Sequence, residues 1–224
     1  MFKIRLSGYS ALKDFSLSKL KRRHLGAIAA LILISLLSSW SGLPSHHAIS
    51  NCWEGLLWGI ADPVIGLDRL ASVVAVGLLS ANMIHGALIA SSFVLATVLA
   101  TFMHLYQFNL PGAEIAIAFS SITFGLMLVM PNQFHWLIIA LLGLTAGLFQ
   151  GYSNGQLIVG ADIIPLLAYI FGVTLTQYVV VMSARTIGNS ISQNKINEFL
   201  PRIIHFVGFA FCAIGIVFLK SSIN

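Results

Sequence analysis

Charged residues are scarce in this chain. Only 8% of its 224 residues are Asp, Glu, Lys or Arg, whereas a soluble domain has roughly 25%. Hydrophobic residues make up 58%, and the mean hydropathy is +0.92. A water-facing surface cannot be built from this composition, so the sequence predicts an integral membrane protein in the lipid bilayer.

The sequence also lacks a basic surface along its length. Its net charge of +5 comes mainly from the residues before His24, and Arg69 is the only Lys or Arg from His24 to Ala184. Nucleic-acid binding needs basic residues clustered on one face of a fold. The sequence therefore predicts no nucleic-acid partner, and the basic N terminus indicates membrane topology instead.

Motifs for enzyme chemistry are missing as well. The two cysteines, Cys52 and Cys212, are far apart, and no CxxC, Gly-rich phosphate loop, catalytic triad or H-x-x-x-H pair occurs. The sequence predicts that the protein is not an enzyme and has no catalytic residue. It predicts no cofactor beyond a bound divalent metal cation.

Long apolar runs are present instead, and they do not alternate in polarity as the strands of a membrane barrel do. They predict an all-α polytopic bundle, since helices satisfy their own backbone hydrogen bonds in lipid. Residues 1–24 are interpreted as a basic cytoplasmic tail, 25–47 as a signal peptide or an N-terminal anchor, and 48–224 as a six-helix membrane domain. The predicted spans are Pro63–Ala81, Ile84–Tyr106, Pro111–Met130, Phe134–Phe149, Asp162–Met182 and Phe199–Leu219.

The connection from Arg185 to Arg202 is basic, which agrees with a cytoplasmic position under the positive-inside rule. A bacterial inner membrane or a thylakoid membrane is expected, with the N-terminal tail in the cytoplasm if it is not cleaved. In this topology the helices near Asp62, Glu114 and Asp162 begin on the outer side. The polar stretch Gln150–Gln156 is expected to emerge there too.

Asp62–Ala81, DPVIGLDRLASVVAVGLLSA, is the most informative stretch. Asp62 is predicted to cap a helix that begins at Pro63, because Asp is favoured at the cap and Pro at the first helical position. The preceding segment, from Cys52, is interpreted as an interfacial approach to this helix. Asp68 and Arg69 would then lie inside the membrane helix, where charged residues usually mark a functional site. The alternative is a structural ion pair with a neighbouring helix, through Glu114.

Several ordered motifs resemble the HupE/UreJ family of hydrogenase and urease accessory membrane proteins. Asp62–Ala81 resembles the family signature, PGAEIAIAFSSITFGLMLV (Pro111–Val129) resembles its next motif, and YIFGVTLTQYVVV (Tyr169–Val181) resembles a later helix. The resemblance implies a six-helix protein, often made with a signal peptide, that acts as a nickel permease. Asp68 and Glu114 match the acids of the family.

This chain departs from the family at the motif histidines. Asp62 and Arg69 stand where the resemblance implies histidines, as do Gln150, Tyr152 and Asn154 in the polar stretch. Neutral imidazole suits nickel, whereas oxygen ligands suit harder cations. The remaining site is rich in oxygen and contains one fixed positive charge.

Two functions are therefore expected as alternatives. The first is a permease for nickel or another divalent cation, with metal ligands Asp62, Asp68 and Glu114 on the outer side. The second is a non-transporting relative that acts as a small subunit or assembly factor of a larger membrane protein complex. Besides the lipid bilayer, the expected partners are such a complex or further copies of the chain in a homo-oligomer. In both, the other polar site residues are Arg69, Gln150, Tyr152, Asn154 and Asp162.

Overall fold

The structure is a computed structural model. It describes residues 23–24, 26–37, 49–81, 83–105, 110, 112–130, 134–156, 158, 162–193 and 199–223. All regular elements in these ranges are helices. Their bounds are α1 Gly26–Leu37, α2 Cys52–Ile65, α3 Leu67–Leu79, α4 Gly86–Leu105, α5 Ala113–Val129, α6 Trp136–Gln156, α7 Ile163–Gln193 and α8 Phe199–Ile223.

Membrane character is clear from four helices in the described ranges. Stretches of α4, α6, α7 and α8 are long and apolar enough to cross a bilayer, and α1 and α5 are shorter apolar helices. The protein is thus an all-helical integral membrane protein, as predicted.

The predicted helix from Pro63 to Ala81 is wrong in its start and in its continuity. Asn51 caps α2 instead, because its side-chain oxygen accepts from the Glu54 N–H at 2.9 Å, and the Glu54 carboxylate accepts from the Ser50 N–H at 3.0 Å. These contacts resemble a capping box. They start the helix at Cys52, so the stretch interpreted as interfacial is helical, and Pro63 lies inside α2.

A break at Gly66 divides the segment into α2 and α3. Gly66 adopts φ −76° and ψ 107°, which is extended rather than helical. Asp68 consequently lies in the first turn of α3, and its predicted position deep inside a continuous helix is wrong.

The two short helices together follow the course of α7. A Cβ atom on Gly55 would lie 2.3 Å from the main-chain oxygen of Pro165, and one on Gly77 would lie 2.5 Å from that of Val181. The contact partner on α7 has a higher residue number for Gly77 than for Gly55, so α2 and α3 run parallel to α7. Glycines permit this close approach of two backbones, as small residues do in membrane bundles.

Two further helix pairs complete the bundle. α4 and α6 run parallel, since Gly147 packs on Phe93 and Gly151 packs on Thr97. α5 and α8 run antiparallel, and Gly125 packs there against Gly208. The central apolar core combines side chains of α3 to α8, including Leu70, Val76, Phe93, Phe124, Ile139, Val181 and Phe211.

Other predicted boundaries have mixed outcomes. The second predicted helix start is confirmed: α5 begins at Ala113 after Gly112, whose φ of +78° favours glycine. The prediction that Gln150–Gln156 leaves the membrane as a polar connection is wrong, because these residues form the last turns of α6. The predicted end of a span near Met182 is also wrong, since α7 continues to Gln193.

Candidate functional site at the helix break

Asp62 lies in the last turn of α2, just before the break. Asp62 is only 3% exposed, and its carboxylate accepts a hydrogen bond of 2.7 Å from the Tyr169 hydroxyl of α7. The role of Asp62 as an N-cap is therefore wrong. Close packing of Gly59 on the backbone of Tyr169 brings the two helices near enough for this contact.

Arg69 lies in the first turn of α3, on the other side of the break. Its guanidinium donates to the Asn154 side-chain oxygen at 3.1 Å and to the Ser153 hydroxyl at 2.7 Å, both on α6. Arg69 thus joins α3 to α6 on one side of the break, and Asp62 joins α2 to α7 on the other.

The amide side chains of α6 are incompletely satisfied in this arrangement. The Gln150 amide nitrogen donates to the main-chain oxygen of Arg69 at 3.4 Å, but its buried Oε1 has no partner among the described residues, and neither has the buried Nδ2 of Asn154. Arginine has donors only, so Asn154 must turn its oxygen, and not its N–H groups, towards Arg69. A buried unpaired polar group costs about 1–3 kcal/mol.

Asp68 contributes its backbone to a neighbouring polar contact. Its main-chain oxygen accepts from the Ser72 hydroxyl at 3.1 Å and from the Ser121 hydroxyl of α5 at 3.2 Å, and these two hydroxyls lie 2.9 Å apart. The carboxylate instead folds back towards Gly66. An acid in the first turn also interacts favourably with the helix dipole.

The remaining predicted site residues lie apart from this cluster. Glu114 is exposed in the first turn of α5, and Asp162 is exposed directly before α7. Tyr152 is 3% exposed and packs with Ala100 and Ala113. No three His, Cys, Asp or Glu side chains of the described ranges come together as metal ligands. The three-acid metal site stays a prediction.

A separate groove lies between α5 and α6. It encloses about 480 Å³ and is lined mainly by apolar side chains, among them Phe119, Phe124, Leu142 and Phe149. None of the polar residues at the helix break lines it. The polar contacts lie instead on the two sides of the break, where Asp62 pairs with Tyr169 and Arg69 pairs with Gln150, Ser153 and Asn154. We call these six residues the break cluster.

Sequence reasoning missed two members of the break cluster as site residues. Ser153 belongs to a stretch interpreted as a loop, and a serine in a loop does not by itself indicate a functional site. Tyr169 stands in an apolar helix, and only its aromatic hydroxyl hinted at a need for a partner. A further buried amide, Gln177, was missed too, and its Oε1 has no partner among the described residues.

Removal of the Tyr169 hydroxyl should destabilise the protein. We expect Tyr169→Phe to cost about 1–3 kcal/mol, because it removes a donor from the buried Asp62. The loss should lower the midpoint of thermal unfolding of the protein in detergent. Tyr178→Phe on the same helix is the matched control, since Tyr178 is 45% exposed. Equal midpoints for the two variants would contradict the importance of the contact with Asp62.

Comparison with known proteins gives one match. The model of the family described as HupE / UreJ protein matches residues 28–218, which includes every residue of the break cluster. No curated protein and no solved structure matches the chain.

Proposed function

The chain belongs to the HupE/UreJ family, and from that premise we propose that it is a permease for a divalent metal cation, with the break cluster as its transport site. Family membership implies a nickel/cobalt accessory membrane protein. Nickel is accordingly the first cation to test.

The observation that carries this proposal is the break at Gly66, with Asp62 and Arg69 on its two sides. In many transporters the substrate site lies where a membrane helix is interrupted, because the interruption exposes backbone groups and helix ends inside the protein. Charged residues at that depth are costly and are usually functional. Here the break at Gly66 lies between the buried acid Asp62 and Arg69, which contacts the buried amides of Gln150 and Asn154.

The proposed topology has six spans after the N-terminal helix α1, with α2 and α3 forming one discontinuous span. Four of the spans are α4, α6, α7 and α8, and α5 supplies the sixth. The parallel course of α2–α3 with α7, and of α4 with α6, agrees with simple alternation across the membrane. The start of α2 and the ends of α4 and α6 then face outwards, so the cation enters from the outer side.

The N-terminal helix α1 is proposed as a retained anchor rather than a cleaved signal peptide. Its Ser35 is fully buried and donates to the main-chain oxygen of Ile65 at 3.4 Å, directly beside the break. Cleavage would remove this contact. The short basic tail before α1 would then lie in the cytoplasm of a bacterial cell, or on the corresponding side of a thylakoid membrane.

A second candidate function rests on Arg69. Its guanidinium already satisfies two oxygens of the cluster, and no three-ligand metal cluster is formed by the described residues. The chain would then be a non-transporting relative, in which the cluster holds the helices together within a larger membrane complex. Neither function is enzymatic.

Uptake into vesicles separates the two functions. The full chain is purified in mild detergent and reconstituted, and the entry of Ni²⁺, Co²⁺ and Mn²⁺ is compared with entry into vesicles without protein. A permease should raise the initial rate for at least one cation in a saturable manner.

A defined result would reject the permease. Rates equal to those of protein-free vesicles for all three cations, together with a stoichiometric partner that co-purifies from native membranes, would reject the permease and support the assembly function. A homo-oligomer, visible as one species larger than the 24.2 kDa chain, is compatible with either.

A further inference from the structure

The Arg69 guanidinium contacts side-chain oxygens of the break cluster, as a bound cation would. Its two donated hydrogen bonds end on the Asn154 amide oxygen and the Ser153 hydroxyl oxygen. These atoms, with carboxylates and water, are also the ligands that hard divalent cations prefer. The same oxygens cannot serve a guanidinium and a metal ion at once.

The fit of Arg69 is incomplete. Gln150 and Asn154 are 0% and 1% exposed, yet each keeps a buried polar atom without a partner in the part of the chain that the structure describes. A cation with its water shell could use the Gln150 oxygen directly, and its waters could accept from the Asn154 amide. The cluster therefore has bonding capacity that the guanidinium leaves unused.

Arg69 is also placed where it can move. It follows the break by three residues, and its Cγ and Cδ atoms lie against Gly66. A long flexible side chain at an interrupted helix can swing away from its acceptors with a small change in the backbone at Gly66.

We propose that Arg69 is a tethered cation that holds a divalent-cation site closed. The site consists of the side-chain oxygens of Gln150, Ser153 and Asn154 on α6, with the buried Asp62 on the other side of the break. An entering divalent cation takes these oxygens only when the guanidinium leaves them. The role of the site in transport rests on the proposed function. The existence of the site does not, since the oxygens and the guanidinium that covers them are present whether or not cations cross the membrane.

Binding of Mn²⁺ to the full chain in detergent tests the proposal, with free Mn²⁺ measured by electron paramagnetic resonance. Arg69→Ala should bind Mn²⁺ at least about tenfold more tightly than the unsubstituted chain, because it removes a positive charge that repels the ion at short range. Arg69→Lys should show no such gain, since it keeps the charge.

Two double variants locate the gained site. In the Arg69→Ala background, Asn154→Leu should abolish the gain because it removes one of the proposed ligands. Gln177→Leu should retain it, since Gln177 is also a buried and incompletely paired amide but is not a proposed ligand. If Arg69→Ala fails to fold, Arg69→Gln replaces it, because it removes the charge and keeps a donor near Asn154.

The outcomes distinguish this inference from the permease function. Equal Mn²⁺ affinity for the unsubstituted chain and for the folded neutral variants overturns the tethered cation, even if the unsubstituted chain transports cations. A gain that Asn154→Leu does not remove also overturns it. A gain that depends on Asn154, in a chain that transports no cation, supports the tethered cation and rejects the permease.

Discussion

Replacement of Asp62 by asparagine is expected to lower cation uptake into reconstituted vesicles by about a hundredfold or more, equal to roughly 2.7 kcal/mol in the barrier. Asp62 is the buried acid of the break cluster and is held by the Tyr169 hydroxyl. Asparagine keeps the size of the side chain and one acceptor oxygen. The loss should therefore reflect the missing negative charge and not a cavity.

Asp162→Asn is the matched control for this prediction. Asp162 is an exposed acid at the start of α7, so its neutralisation should change the uptake rate by less than about twofold. Comparable losses in the two variants would show that general surface charge, and not the buried site, determines the rate. Full uptake by the Asp62 variant would exclude Asp62 from the transport site.

Gly151→Ala is expected to have the largest effect on folding. A Cβ atom at this position would lie 2.0 Å from the main-chain oxygen of Thr97, and a backbone atom of a packed helix cannot yield as a flexible side chain can. Overpacking of this kind costs about 1–3 kcal/mol, and sometimes more. We expect a clear fall in the thermal midpoint and in the yield of folded protein in detergent.

Gly143→Ala provides the comparison on the same helix. Gly143 is buried, but a Cβ atom there would meet no atom of the described residues outside its own turn of the helix within 4 Å. Alanine is also the better helix former. The midpoint of this variant should be unchanged or slightly higher, and equal destabilisation of both variants would contradict the close packing of α4 on α6.

The sequence was sufficient for the class of fold and for the family. Low charge and long unalternated apolar runs dictate membrane helices, since few other structures satisfy the backbone in lipid. The family prediction is confirmed by the family model. Glu114 in the first turn of α5 was also predictable, because the acid follows a proline and a glycine that favour a helix start.

The helix that begins at Cys52 and ends before Gly66 could not be predicted from local signals, because the sequence contains two signals for a helix start. Asp62-Pro63 is typical of a helix start, but Asn51 and Glu54 form the hydrogen bonds that start a helix earlier in the chain. The packing of Gly55 and Gly59 on α7 then keeps Asp62 inside a helix. Tertiary contacts decided between the two starts, and a single sequence does not contain them.

The polar end of α6 was misinterpreted for a similar reason. Gly, Ser and Asn between Gln150 and Gln156 normally indicate a turn. In the bundle, Ser153 and Asn154 have a partner in Arg69, and Gly151 permits contact with Thr97. These long-range contacts satisfy polar residues within a helix, where local preference alone would not keep them.

Chemical access to position 153 tests most directly whether the break cluster is a cation site that is reached from the outer side. Ser153→Cys, in a chain with Cys52→Ser and Cys212→Ser, places one thiol beside Arg69. In vesicles of known orientation, an impermeant thiol reagent should modify this cysteine from the outer side, and a transported divalent cation should slow the modification. A thiol that reacts only from the inner side, or not at all under any condition, or at a rate that no divalent cation changes, would contradict the account.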